Sequence, residues 1–313
     1  MPQHHEIAPV AENIIWGWLD PFREPVLRVQ SGDTVGLTAW AACDEKHLPP
    51  DRSIVDPRHL EAMAKLTKGA TTHMIVGPVY VEGAEPGDVL QVDILEATLA
   101  DSWGYSAVYP LVGTLPEDFD ETQRFYTRID RNRGTGLLPW GKEVRLEPFF
   151  GIHAVAPPPS WGRCSAMQPR KFGGNMDNKD LKPGTTLYLP VFNEGALFYA
   201  GDGHALQGHG EVCVTAIETS LSGRFRLTVR KDLDYAFPFA ETETTLISIG
   251  LAEDLDEAAR QAVREMIDHI CRRTSLTRHE AYVLCSLVGD LHVTQTVDGE
   301  KGCHMVLAKE HLS

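Results

Sequence analysis

Two glycine-rich stretches hold most of the side chains in this chain that can bind a metal or move a proton. The first is FGGNMDNKDLKPG at 172–184, where Asn175 and Asp177 stand two residues apart and so project to one side of an extended chain. Gly173 and Gly174 before them open backbone shapes closed to other residues. Taken singly, an Asn or Asp here reads as readily as an Asx turn leading into a strand. The second stretch is FNEGALFYAGDGHALQGHGE at 192–211, with Asp202 and His204 on either side of Gly203 and with Glu194, Gln207, His209 and Glu211 close by. A carboxylate and an imidazole at this spacing can converge on one cation, and the pair suits zinc or a similar divalent ion. Asp-Gly is also an ordinary turn. A third group, Thr72 and His73 with Glu82 to Glu85, brackets the apolar run IVGPVYV. His73 heads that run and Glu82 ends it, as a ligand and a base would, or as a strand-edge histidine and a solvated turn residue would. His4, His5, His47, His59, His269, His279 and His311 fall in expected surface helices and loops and are given no role.

The elements that must position these groups are mainly strands. A short glycine turn followed by alternating apolar residues recurs in SGDTVGLTAW at 31–40, EPGDVLQVDIL at 85–95 and KPGTTLYLPVF at 182–192. This suggests one supersecondary unit used repeatedly. Further strands are expected over 26–29, 75–82, 211–218, 225–231 and 244–251. The segment DLHVTQTVDGEKGCHMVLA predicts two strands joined by a turn at 298–302. Helices are expected over 254–272, from apolar residues at three- and four-residue steps, and from Thr277 to Gly289, where T-x-x-E marks a capping box. A shorter one is expected over 58–66. The stretch 116–148 has little periodicity and predicts a long irregular excursion. The expected fold is thus mainly β, sandwich-like, with a C-terminal helical pair: one domain over 1–313 made of two related β halves, 1–148 and 149–313.

With 313 residues the chain can bury a large core. Its formal charge of −15 repels phosphate backbones and anionic lipid surfaces, which argues against nucleic-acid and membrane partners. No apolar run is long enough to span a bilayer, and the first residues lack the pattern of a signal peptide, so a cytoplasmic protein is expected. The six cysteines, Cys43, Cys164, Cys213, Cys271, Cys285 and Cys303, are scattered without a CxxC and read as free thiols. Cys213, in an expected strand, and Cys271, in an expected helix, read as packing residues.

The block THMIVGPVYVEGAEPGDVLQVDIL resembles the acetamidase/formamidase family, as does GGNMDNKDLKPGTTLYLPVFNEGALFYAGDGHALQGHGEVCVTAIE. The EPVLRVQSGDTV start and the DLHVTQTVDGEKGCHMVLAKE end extend the resemblance over most of the chain. It implies a cytoplasmic hydrolase that releases ammonia from a short amide, a sandwich-like β fold, and a bound divalent metal, with zinc the expected ion. It also implies the residues: His73, Asp177, Asp202 and His204 for the metal, Glu82, Glu194 and Glu211 as candidate proton carriers, and Asn175 and Gln207 toward substrate. A homo-oligomer is expected. The sequence departs from the family where His73 is followed by MIVGP rather than PLTGP, and where AWAACDEKHLPPD replaces an Asp-rich segment; Asp44 is a candidate substitute there.

The expected chemistry is attack of a metal-activated water on the amide carbonyl, with one of the three glutamates passing the proton to the departing amine and Asn175 or the metal facing the oxyanion. Two rival amidase chemistries fit poorly. A Cys-Glu-Lys enzyme alternates helix and strand around a buried cysteine, and a Ser-Ser-Lys enzyme needs a Gly-Ser-rich stretch absent here. A rival of another class is a non-catalytic small-molecule binding protein on the same fold.

Overall fold

The alternating runs build two large sheets in the computed structural model, which describes residues 2–312. The first has nine strands in the order His4–Ile7, Thr34–Ala39, Leu221–Arg230, Val89–Leu99, Thr186–Pro190, Phe239–Glu241, Thr245–Ala252, Lys301–Ala308 and Gly289–Gln295. The second orders Gly173–Asn175, Phe149–Val155, Phe198–His204, Met74–Val81 and Ile14–Trp16, with Leu27–Val29 also paired to Met74–Val81. Side chains on alternate residues point inward: Val35, Leu37 and Ala39 are buried while Thr34 and Thr38 are half-buried. The inward faces of both sheets meet in one apolar core, which joins Leu90, Val92, Ile94 and Leu227 of the first to Ile75, Ile152 and Phe198 of the second. The result is a sandwich held by removal of these faces from water. Both large sheets draw strands from either side of residue 148.

Three α-helices lie among the described residues: α1 (Pro57–Lys65), α2 (Leu255–Arg273) and α3 (Arg278–Val288). Asp254 caps α2 by accepting from the Glu257 backbone N–H, and the expected capping box of Thr277 and Glu280 opens α3. Ala258, Ala262, Met266 and Ile270 form the buried stripe of α2 and pack on Leu246, Met305 and Leu307 of the first sheet. The approach is close because Gly250 has no side chain, and a Cβ there would stand 1.9 Å from the Ala258 carbonyl oxygen.

Three expectations need correction. The stretch 116–148 is no irregular excursion, since Gln123–Asp130, Thr135–Leu137 and Glu143–Arg145 pair with one another and with Trp103–Val108 in a four-stranded sheet. Its strands are half exposed, so they carry little apolar alternation. Residues 211–218 form no strand. The Val214 N–H instead bonds the Glu211 carbonyl in a turn, with both residues in left-handed backbone and with Cys213 in the bend. Finally, His59 and His269 are buried core residues, stacked on Trp40 and Phe239.

Candidate active site

The strand Phe198–His204 enters the sandwich fully buried and ends with Asp202, Gly203 and His204. Asp202 and His204 fall on the same side of this strand, and each is about 1% exposed. The His204 Nε2 lies 3.1 Å from Asp202 Oδ2 and 3.3 Å from Glu218 Oε2, while its Nδ1 is 3.8 Å from Asp177 Oδ1. His73, just before the strand Met74–Val81, faces the other oxygen of Asp202 at 3.8 Å, its Nδ1 bonded to the Thr71 hydroxyl at 2.8 Å. Asp298, from the turn between the last two strands, and Glu211 complete the group, both buried. One imidazole is therefore surrounded by five carboxyl groups.

Neighbouring backbone makes room for this crowd. A Cβ on Gly151, in the strand Phe149–Val155, would stand 2.3 Å from both Asp177 Oδ1 and Asp202 Oδ2. Asp177, Asp202 and Glu211 each hold left-handed backbone, at φ 47°, 60° and 41°. Such conformations are uncommon outside glycine and gather at functional sites.

Burial and mutual charge split the protonation of the group. Burial, reinforced by Asp202, lifts the Asp177 carboxyl to about 7. Burial and the charge of Asp177 lift Glu211 and Asp298 well above the carboxylate range, and burial also raises Glu218. Asp202 goes the other way: burial opposes its ionisation, but His204 and His73 hold it below the usual range. The His204 imidazole rises well above its ordinary value, since Asp202 and Glu218 outweigh the burial that opposes its charge.

The donor set fits a divalent cation. Ligand atoms of Asp177, His204 and Glu211 lie within 4.8 Å of one another, as do those of Asp202, His204 and Glu218. Both Asp177 oxygens, one oxygen each of Asp202, Glu211, Glu218 and Asp298, and the His204 Nδ1 are buried with no hydrogen-bond partner. Unpaired buried oxygens in such number are costly unless a cation or protons meet them. Carboxylate and imidazole together are the donors that zinc and similar ions take.

Asp202, His204, Glu211, Glu218 and Asp298 face a cavity of about 340 Å³ whose walls include His47, Tyr105, Tyr109, His73 and Asn175. That volume is at the small end for ligand sites. Among the candidates from the sequence, His73, Asn175, Asp177, Asp202, His204 and Glu211 come together here. Gln207 stands behind them, its Nε2 donating to the Asp177 carbonyl at 2.8 Å. Glu82 and Glu194 lie elsewhere: Glu82 pairs with Arg28 at 3.6 Å on the surface, and Glu194 accepts from the Tyr80 hydroxyl. Both follow strand ends that open to solvent rather than to the cavity. Glu218, Asp298, Gly151 and His47 escaped the sequence reading. Glu218 closes the alternating run that suggested a strand, and Asp298 sits in an Asp-Gly turn, so each has a commonplace local explanation. His47 bonds the Tyr109 hydroxyl at 2.7 Å and lines the wall, although its loop looked like surface. Burial pushes the thiols of Cys43, Cys164, Cys285 and Cys303 up, away from the reactive thiolate.

Comparison with known proteins gives these features a context. The model of the acetamidase/formamidase family matches residues 23–161 and 162–309. An acetamidase of Mycolicibacterium smegmatis is 30% identical over 201 residues, 46% of this chain and 50% of that protein. The chain spans about half the length of the curated relatives it matches. Among solved structures, a recombinant predicted acetamidase/formamidase from Thermoanaerobacter tengcongensis superposes with a TM-score of 0.86 at 28% identity, covering 100% of this chain and 98% of the other. An acetamidase from Bacillus halodurans superposes at 0.83 with 31% identity, covering 99% and 98%.

Proposed function

Since the chain belongs to the acetamidase/formamidase family, we propose that it hydrolyses the carbon–nitrogen bond of a short linear amide, releasing ammonia and a carboxylate. The observation that carries this reading is the small cavity floored by buried, unpaired carboxylate oxygens around His204. A divalent cation held by Asp177, Asp202 and His204, with Glu218 or Glu211 beside them, would supply a Lewis acid for the carbonyl and for water, and zinc suits these donors.

The chain's own groups account for the proton. Glu211 takes it from water as the water oxygen bonds to the carbonyl carbon, and returns it to the amide nitrogen as the C–N bond breaks, so nitrogen leaves as ammonia. Its raised affinity for protons, from burial and from Asp177, suits a group that must hold the proton between the two steps. The Asn175 Oδ1, buried and unpaired at the cavity wall, is available to accept from the substrate N–H. Glu218, whose Oε1 accepts from the Ala216 N–H at 2.9 Å and whose Oε2 stands 3.3 Å from His204 Nε2, orients His204. Apolar wall residues such as Val112, Met167 and Val214 favour a short acyl chain.

The test combines metal analysis of purified protein with ammonia release from formamide, acetamide and propionamide. Replacing Asp202 and His204 together with alanine is expected to abolish ammonia release and to lower the metal content. Undiminished activity in that variant would overturn the metal assignment. Amide binding without turnover in the wild type would leave the non-catalytic binding protein as the reading.

A further inference from the structure

A second set of metal donors lies outside the cavity, and none of its members serves the chemistry above. His292 and His304 stand directly opposite each other on the paired strands Gly289–Gln295 and Lys301–Ala308. Opposite residues on neighbouring strands place their side chains within reach of a common ligand. His209, from the loop after the strand Phe198–His204, completes a nearly equilateral triangle, with ring centroids 4.9 Å apart from His292 and from His304 and 5.0 Å between those two. Their ligand atoms lie within 4.8 Å of one another. The Asp180 Oδ2 adds a carboxylate, 3.1 Å from His304 Nε2 and 3.9 Å from His209 Nε2.

We propose that His209, His292, His304 and Asp180 form a structural site for a zinc-like divalent transition metal, distinct from the donors around His204. Three imidazoles and one carboxylate are a sufficient tetrahedral set for such an ion. The supporting residues are in place as well. The Thr294 hydroxyl meets His304 Nδ1 at 2.6 Å, the kind of contact that orients a ligating histidine, and its Nε2 faces Asp180 Oδ2 at 3.1 Å. The Nδ1 of His209 is buried and has no partner.

The position of the site gives it a task. Asp180 belongs to the turn that follows Asp177, His209 precedes Glu211 by two residues, and the hairpin bearing His292 and His304 turns at Asp298. One ion would thus tie together the three segments that carry three of the five carboxyl groups around His204. Backbone bonds already begin this tie, from the Gly210 N–H to the Thr294 carbonyl and from the Thr296 N–H to the Gly210 carbonyl.

Calorimetric titration of the chelator-stripped full chain with zinc chloride tests the proposal. The Asp202→Ala/His204→Ala variant is expected to keep one tight zinc. Adding His292→Ala to it is expected to weaken that zinc at least 10-fold. Equal affinity with and without His292, or no zinc in the doubly substituted background, would overturn the assignment. Should the variants not fold, anomalous diffraction from zinc-soaked wild-type crystals decides it without them. A peak between the three rings supports the site, and its absence there refutes it. Neither outcome depends on whether the protein hydrolyses amides.

Discussion

Replacing Gly151 with alanine adds one methyl group where two carboxylates of the proposed site already stand. The new Cβ would lie 2.3 Å from Asp177 Oδ1, 2.3 Å from Asp202 Oδ2 and 3.0 Å from His204 Cε1. Ordinary contact begins near 3.4 Å, so both oxygens must retreat by roughly 1 Å, or the strand Phe149–Val155 must shift. Neither carboxylate has room to yield, since Asp177 and Asp202 are each about 1% exposed. Overpacking of this kind costs about 1–3 kcal/mol of stability. The larger effect falls on chemistry, because displacing reacting groups by about 1 Å costs on the order of 100-fold in rate. Gly151→Ala is therefore expected to fold, to lose metal, and to release ammonia from formamide or acetamide about 100-fold more slowly at saturating substrate. Gly208→Ala is the control, since a Cβ there meets nothing within 4 Å. Wild-type kcat and metal content in Gly151→Ala would refute the placement of Asp177 and Asp202 at the reacting centre.

The glutamates separate by location. Glu211→Gln is expected to lower kcat by about 10²–10⁴, the usual worth of a proton carrier, whereas Glu82→Gln and Glu194→Gln should stay within about 2-fold, as expected for surface changes; ammonia release measures all three, and the reverse ranking would reject the assignment of Glu211. Stability should fall in acid through His59, whose folded-state pKa of about 4 lies below its ordinary 6.5 because burial disfavours the charged ring. The unfolded chain takes up the proton first, so the stability present above pH 6.5 is lost as pH falls toward 4, by about 1.4 kcal/mol per pH unit at most. Urea unfolding of wild type and His59→Gln at pH 7.5 and 5.0 measures this; a gap between them that does not change with pH would remove His59 as a cause.

The sequence by itself carried the elements whose period is set locally. The 3.6-residue stripe of α2, the Thr277–Glu280 box of α3 and the alternation in 31–40, 85–95 and 182–192 all have local causes, and each appears where expected. The two-residue spacing of Asp202 and His204 was legible too, but Asp202 holds left-handed backbone at φ 60°, and only the folded strand brings the two side chains to 3.1 Å. The half-exposed strands of 116–148 lacked that local mark, and the run 211–218 carried a false one. What only the tertiary structure decided was which carboxylates share the imidazole. Asp177, the run that holds Glu211 and Glu218, and Asp298 come from separate segments, and nothing in a stretch of chain distinguishes an inward glutamate such as Glu218 from an outward one such as Glu194. Burial makes that distinction: the packed sheets strip water from Glu211, Glu218 and Asp298 and raise their proton affinity, while Glu82 and Glu194 sit in turns at the surface. Gly151 shows the same limit, since its missing side chain matters only because two distant aspartates occupy the space it leaves.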